Sequence, residues 1–378
     1  MARVLILGGG FAAVVAAESL AKRLGPDHEI TVVSRNRNFV FYPALVRLAF
    51  GKSEPSDISF DLRSALLDRR VQFIEAEIAR IDCRERSVTI RSAEFRGELH
   101  YDFVVLATGR RLATERITGF FEYADHLLTV DAALKFGKKI KTFHRGRTVI
   151  GHCPEARLPI PLFETAIALS RLHEKGECNR RAITIVSNET IDQMFGGAHL
   201  FGRIHDILRL RGIEFISDFE ITSVTPESVI ALDGRRLDCG LRMLIPPFCG
   251  PGPILGPGII DSEGYVMVDK QMSVQGADQT YAAGDCVSLP GPKMGHMAIR
   301  QAAVAADNIV AELEGREPAS TYDHEMMLVI EAGKESIFAK KDLWSDEPGK
   351  IQQGRFWGWA KRLQEQHWKT RHTWARAN

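Results

Sequence analysis

The apolar run from Val4 to Leu7 is followed at once by Gly8, Gly9, Gly10, Phe11, Ala12 and Ala13, and then by a helical pattern that ends near Gly25. This G-x-G-x-x-A order between strand and helix limits what the chain can fold into more than any other feature. The glycines let the backbone turn tightly and approach a pyrophosphate, whose charge is stabilised by the amides and dipole of a helix N-terminus. A second strand, from Ile30 to Val33, follows at the spacing of a βαβ unit, so the N-terminal region is expected to be a doubly wound α/β domain.

Two later stretches sharpen this expectation. YDFVVLATGRR (101–111) is a strand ending in Ala107, Thr108 and Gly109, and TYAAGDCVSLPGPKMGHMAIRQAAVAADNI (280–309) joins a Gly-Asp turn to a long helix. With all three motifs in this order, the chain resembles the FAD-dependent pyridine nucleotide-disulfide oxidoreductases over roughly residues 1–315. The resemblance implies an α/β protein with two Rossmann-like dinucleotide-binding domains of the glutathione reductase type. Residues 1–115 and 265–315 are expected to form the FAD domain, 116–264 a second Rossmann-like domain, and 316–378 a C-terminal region.

Carried over residue by residue, the resemblance implies FAD contacts from Gly8, Gly10, Phe11, Ala12, Pro43, Ile78, Ala107, Thr108, Gly109, Gly284, Asp285, Lys293 and Gly295. Asp285 is expected to hydrogen-bond the ribityl-phosphate region. The acid that usually ends the second strand and holds the adenosine ribose is replaced by Ser34 followed by Arg35. The serine keeps a hydrogen bond to a ribose hydroxyl, and the bidentate acceptor is missing.

The same pattern recurs in the middle of the chain. RVLILGG (3–9) corresponds to RTVIGHC (147–153), ITVVSRN (30–36) to ITIVSNE (183–189), and VVLATG (104–109) to MLIPPFCG (243–250). An internal duplication explains all three pairs. The second copy has the shape of a nicotinamide site without its chemistry: Cys153 stands where the first copy has Gly10. Glu155 would repel phosphate oxygens, and Pro154, Pro159 and Pro161 remove amide donors.

Three segments resemble the sulfide:quinone oxidoreductase and flavocytochrome c sulfide dehydrogenase branch of that family: RNFVFYPAL (37–45), PPFCG (246–250) and PKMGHMA (292–298). The last implies a cation, Lys293, beside the flavin. Pro161 and Glu164 are in register with the branch's segment that opens a helix. By that register the catalytic cysteine of sulfide oxidases falls on Leu158, and no cysteine follows Cys286, so the usual redox disulfide is absent. Glu164 is either a proton relay or simply a glutamate favourable to a helix N-terminus. Cys153 and Cys249 stand beyond the ends of strands expected to be neighbours. They are a candidate relocated redox pair, with two unrelated packing cysteines as the alternative.

The tail RFWGWAKRLQEQHWKTRHTWARAN (355–378) holds four of the five tryptophans and a single acid, Glu365, among six Lys and Arg. At helical spacing Phe356, Trp359, Ala360, Leu363 and Trp374 share an arc flanked by Trp357 and Trp368, with Lys361, Arg362, Lys369 and Arg376 opposite. This pattern suits a helix lying in the headgroup layer of a membrane; the alternative is a tail docked on its own domain or on a partner subunit, and a homo-oligomer stays open. Because every cofactor motif lies upstream, removing the tail is expected to leave FAD in place.

A net charge of +1 gives no global attraction to nucleic acid, and six scattered cysteines fit free thiols in a reducing compartment. The N-terminus has the makings of a signal peptide, yet its removal would delete the first glycine motif. The twelve histidines form no spaced cluster with the cysteines, so no metal is expected. The reading is an FAD oxidoreductase on the cytoplasmic face of a membrane, passing electrons from a small, sulfide-type donor to a quinone. Alternatives are a type II NADH:quinone oxidoreductase and a flavin-binding module that has lost its redox cysteines.

Overall fold

The strand Arg3–Leu7 buries four of its five residues. Val, Leu, Ile and Leu in unbroken succession suit a parallel strand covered on both faces. The structure, a computed structural model, describes every residue except 68, 93–95, 144–145, 175–181, 257 and 374–378. Arg3–Leu7 is the centre of a five-stranded sheet in the order Thr280–Ala282, Phe103–Leu106, Arg3–Leu7, Glu29–Ser34, Gln72–Glu75, with all pairs parallel. The helices Phe11–Arg23 and Gly295–Leu313 pack against each other beside it. Small buried residues allow that approach: Ala12, Ala13, Ala16 and Ala17 on one helix, Ala302, Ala305 and Ala306 on the other.

A second parallel sheet runs Ile213–Ile216, Ile183–Ser187, Thr148–His152, Leu241–Ile245. The duplication read from the sequence is therefore visible as topology. Arg3–Leu7 lies between Glu29–Ser34 and Phe103–Leu106, and Thr148–His152 lies between Ile183–Ser187 and Leu241–Ile245. Each sheet has its own apolar core, so truncating a fully buried side chain such as Ile6 or Ile185 is expected to cost about 2–5 kcal/mol.

The chain closes with an antiparallel sheet, Glu325–Glu331, Ser336–Asp342 and Lys350–Gly354, and the helix Arg355–Thr373. That helix corrects part of the tail reading. Two residues of its expected cationic face are engaged by the protein: Lys361 pairs with Glu164 at 2.6 Å and Lys369 with Asp57 at 3.0 Å. Trp357 stacks on Phe338 with ring centroids 4.0 Å apart, and Trp368 stacks on Phe39 at 5.6 Å. Arg362 is exposed, as expected, and so are Phe356 (60%), Trp359 (57%) and Leu363 (48%), which share one arc. Half of the expected amphipathic pattern thus grips the protein and half faces outward; Trp374 and Arg376 lie outside the described residues. Among the described residues no helix is long and apolar enough to cross a membrane.

Candidate functional site

The three glycine-bearing motifs meet at one edge of the first sheet. The Ala107 amide donates to Leu7 O at 2.8 Å, and the Ala283 amide donates to Leu106 O at 3.0 Å. Gly8 has φ +132°, and a Cβ there would sit 2.0 Å from Ala107 O, so only glycine fits this crossing. Gly284, at φ +90°, lies against Ala12, and Gly295 lies against the Phe11 ring. Residues 8–12, 107–110, 284–285 and 295 are therefore parts of one surface.

That surface suits a dinucleotide. A Cβ on Gly10 or Gly109 would meet nothing within 4 Å, so both residues face open space. The helix Phe11–Arg23 starts at Gly10 with no side-chain cap and no acid in its first turn, and Gly295–Leu313 likewise begins uncapped at Met294. Two helix N-termini with free amides form an anion site. Thr108 Oγ1 is buried with no partner among the described residues, an orphan that a bound polar group would satisfy.

Other expected contacts are placed differently. The Ser34 hydroxyl is buried and cycles with its own turn, accepting the Asn36 amide at 3.2 Å and donating to Asn36 O at 3.0 Å. Its one donor is thus engaged within its own turn, with a lone pair left to accept from a ribose hydroxyl; Arg35 is exposed. Pro43 is exposed in the turn Tyr42–Ala44, and Ile78 is partly buried on the edge of the first core.

Asp285 is ion-paired to Arg110, whose guanidinium also lies 4.1 Å from the Phe248 ring centroid. Arg110 is not among the residues the motifs imply; its one signal in the sequence is a charge directly after a buried strand and glycine. Lys293 is buried; its amide donates to Arg157 O at 2.8 Å, and its Nζ donates to Val287 O and lies 4.5 Å from the Tyr265 ring centroid. Burial, reinforced by the Arg157 guanidinium, pulls the Lys293 ammonium down to about 7, against Asp285 and Asp261. Arg157 itself donates to Gly291 O at 2.8 Å. The loop after Thr148–His152 is thereby stitched to the loop that carries Lys293, with Leu158 next to that stitch.

Glu164 is 7% exposed, accepts the Lys361 ammonium at 2.6 Å and accepts the Glu331 amide at 3.0 Å. Burial pushes its carboxyl above the usual range, and Lys361 opposes the rise.

The two sheets differ most where their loops correspond. Gly151 serves packing, since a Cβ there would lie 2.4 Å from Leu244 Cδ2. His152 and Cys153 follow as buried side chains, 1% and 0% exposed, and the strand registers match them to Gly8 and Gly9, with Pro154 rather than Cys153 at the position of Gly10. Burial pulls the His152 imidazolium down to about 3, so the ring is neutral, with Nδ1 3.4 Å from Glu189. Glu155 takes a left-handed φ of 60° and pairs with Arg116.

The strands that precede Cys153 and Cys249 are neighbours, as expected, with His152 opposite Ile245. The two thiols are nevertheless free. Cys153 sits in an apolar cluster with Val149, Val186 and Phe219, and burial pushes its thiol up, away from the thiolate that redox exchange needs. Those are the surroundings of a packing residue. Cys249 Sγ faces Arg111 O at 3.9 Å. No cluster able to hold a metal ion occurs among the described residues.

Residues 2–307 match the family model described as pyridine nucleotide-disulphide oxidoreductase. The chain is 26% identical over 333 residues to the sulfide-quinone reductase of Aquifex aeolicus, covering 82% of this chain and 76% of that protein. It is 24% identical over 347 residues to the type II NADH:quinone oxidoreductase NdhA of Mycobacterium tuberculosis, covering 83% and 73%. Among solved structures, the sulfide:quinone oxidoreductase of the hyperthermophilic bacterium Aquifex aeolicus superimposes with a TM-score of 0.91 at 25% identity, over 98% of this chain and 92% of that one. The chain belongs to the pyridine nucleotide-disulphide oxidoreductase family and is an FAD-dependent oxidoreductase.

Proposed function

We propose that this flavoenzyme passes electrons from a small, non-nucleotide reductant to a membrane quinone, with a hydrosulfide-type donor as first choice. The observation that carries this reading is the contrast between the two strand-to-helix loops: Gly8, Gly9 and Gly10 end on open space at Gly10, whereas the corresponding His152, Cys153 and Pro154 put two buried side chains and a residue without an amide donor in the same turn. A nicotinamide dinucleotide has no comparable cradle there, and the Glu155 carboxylate, paired with Arg116, occupies the same loop. The relatives named as sulfide-quinone reductases support the donor class, and the quinone is common to them and to the NADH:quinone oxidoreductases.

In this reading residues 1–115 and 265–315 are the FAD domain and 116–264 the degenerate second domain. FAD, when bound, supplies the two-electron acceptor. Arg110 holds Asp285 in place at the cofactor edge, and Lys293, a buried amine whose pKa is pulled down to about 7, can take up a proton to answer negative charge arising beside it. Glu164, with Lys361, is placed to hold and release a proton in a dry environment. The exposed arc of Phe356, Trp359 and Leu363 suits the headgroup layer in which a quinone reaches the protein. With Leu158 at the position of the branch's catalytic cysteine, donor oxidation does not run through a cysteine persulfide there.

Steady-state reduction of decylquinone by the purified holoenzyme tests this reading. Activity with hydrosulfide and none with NADH is the expected result. The reverse pattern would assign the chain to NADH oxidation through an unusual second domain.

A further inference from the structure

The helix Arg355–Thr373 begins 40 residues after the end of the last FAD motif region at 315, yet its C-terminal half lies against the first turn of the flavin helix. The Trp368 ring meets the Phe11 ring edge-on at 5.0 Å and stacks on Phe39 at 5.6 Å with only 8° between planes. Phe11 also touches Phe39 at 5.1 Å and Phe41 at 5.5 Å. Phe11 is the residue directly after Gly10 and the first of its helix. It also lies against Gly295, the first residue of the second uncapped helix, where a Cβ would be 3.0 Å from the ring. The Phe11 ring therefore joins the two helix N-termini, and Trp368 packs against it.

A second grip lies two turns further along the same flavin helix. Glu18, 3% exposed, is paired with Arg371 at 2.5 Å and with Arg69 at 3.0 Å, and Arg69 donates to Arg371 O at 3.1 Å. A buried carboxylate held by two guanidinium groups, one from each of two distant segments, fixes the helix along its length as well as at its tip. Arg47 with Glu365 and Lys369 with Asp57 add two further ties between the tail and the segment 47–57.

We propose that the C-terminal helix is a working part of the flavin site, with Trp368 as a positioning residue. It seats Phe11 so that the amides at the start of Phe11–Arg23 and Gly295–Leu313 stay aimed at one anion. Pre-set amides bind a diphosphate without first being ordered, so loosening this packing weakens binding although no cofactor contact is removed. The expectation that FAD is indifferent to the tail is reversed. This inference rests on reading Gly8–Phe11 as the diphosphate cradle.

The test is FAD affinity, measured by flavin fluorescence on the full-length protein after removal of FAD, together with the thermal midpoint of each apoprotein. Trp368→Ala is expected to raise the FAD dissociation constant by about tenfold, equivalent to ~1.4 kcal/mol, and Trp368→Phe to restore most of it. Trp357→Ala removes an equal ring from the other end of the same helix and is expected to stay within about twofold. Arg371→Met, at the second grip, provides an independent variant should Trp368→Ala fail to fold, and is expected to weaken FAD about threefold or more. A Trp368→Ala protein that melts lower yet binds FAD as tightly as wild type would overturn the proposal, as would equal weakening by Trp357→Ala. Gly10→Val separates the two levels. FAD lost there but kept in Trp368→Ala contradicts the tail's role alone, whereas FAD kept in Gly10→Val contradicts the cradle.

Discussion

The ammonium of Lys361 lies 2.6 Å from Oε1 of Glu164, joining residues 197 positions apart in the chain. The lysine stands on the C-terminal helix and the glutamate on the helix that follows the degenerate nucleotide loop. The pair is what makes a carboxylate tolerable at 7% exposure.

Breaking that pair should make stability more sensitive to pH. Burial raises the Glu164 pKa in the folded state, so its contribution to stability is full below the unfolded value and is lost as pH rises through the folded one. Lys361→Met removes the opposing cation and deepens the loss. Thermal melts should show a wild-type advantage that grows from pH 5 to pH 8, reaching about 3–5 kcal/mol. The double variant with Glu164→Gln should recover most of it, and a pH-independent difference would argue against this account of the pair.

Lys293 titrates in the opposite sense. Its folded pKa of about 7 lies below the ordinary 10.5. Its contribution is therefore full above the unfolded value, falls as pH drops towards about 7, and is level below that. In melts of the apoprotein, Lys293→Met should gain on wild type as pH falls from 10 to 7, by up to about 5 kcal/mol. A constant difference would mean that the lysine is better solvated than its burial indicates.

At Gly8 the expected outcome is structural. Alanine there would place Cβ 2.0 Å from Ala107 O at φ +132°. Gly8→Ala should lose FAD and at least ~1–2 kcal/mol of stability; a holoprotein with normal visible absorbance would contradict the crossing described for residues 8 and 107.

The outward arc of the tail makes a separable prediction. Replacing Phe356, Trp359 and Leu363 together by serine should abolish sedimentation with anionic liposomes while the flavin spectrum is retained, because none of the three lies among the described contacts of Phe11 or Glu18. Unchanged sedimentation would place the membrane surface elsewhere.

The parts of this protein that could be read from the sequence are those in which local chemistry dictates position. Gly8 and Gly284 sit at positive φ in closely packed turns, where backbone approach leaves few other residue choices, and Gly10 and Thr108 lie on the same surface. The duplication was legible for the same reason: two strand-loop-helix units must present similar apolar runs. The partners that hold the site together were not legible. Nothing near Trp368 in the chain points to Phe11, and nothing near Arg157 points to Gly291, since both contacts depend on how distant segments dock. Helical periodicity found the arcs of the tail but misjudged its charged side, because Lys361 and Lys369 look the same on a wheel whether they meet water or Glu164 and Asp57. The local partner of Ser34, Asn36, was not legible either, although its hydrogen bonds come at little cost in chain entropy.

The central claim is that electrons leave this protein through a quinone. The most direct test reduces the bound flavin photochemically under anaerobic conditions and then mixes the protein with decylquinone in a stopped-flow instrument. The account predicts that the oxidised flavin absorbance returns in a rapid phase whose rate rises with quinone concentration until it saturates. Flavin that stays bleached, or returns no faster than free FAD reduced in the same way, would contradict it.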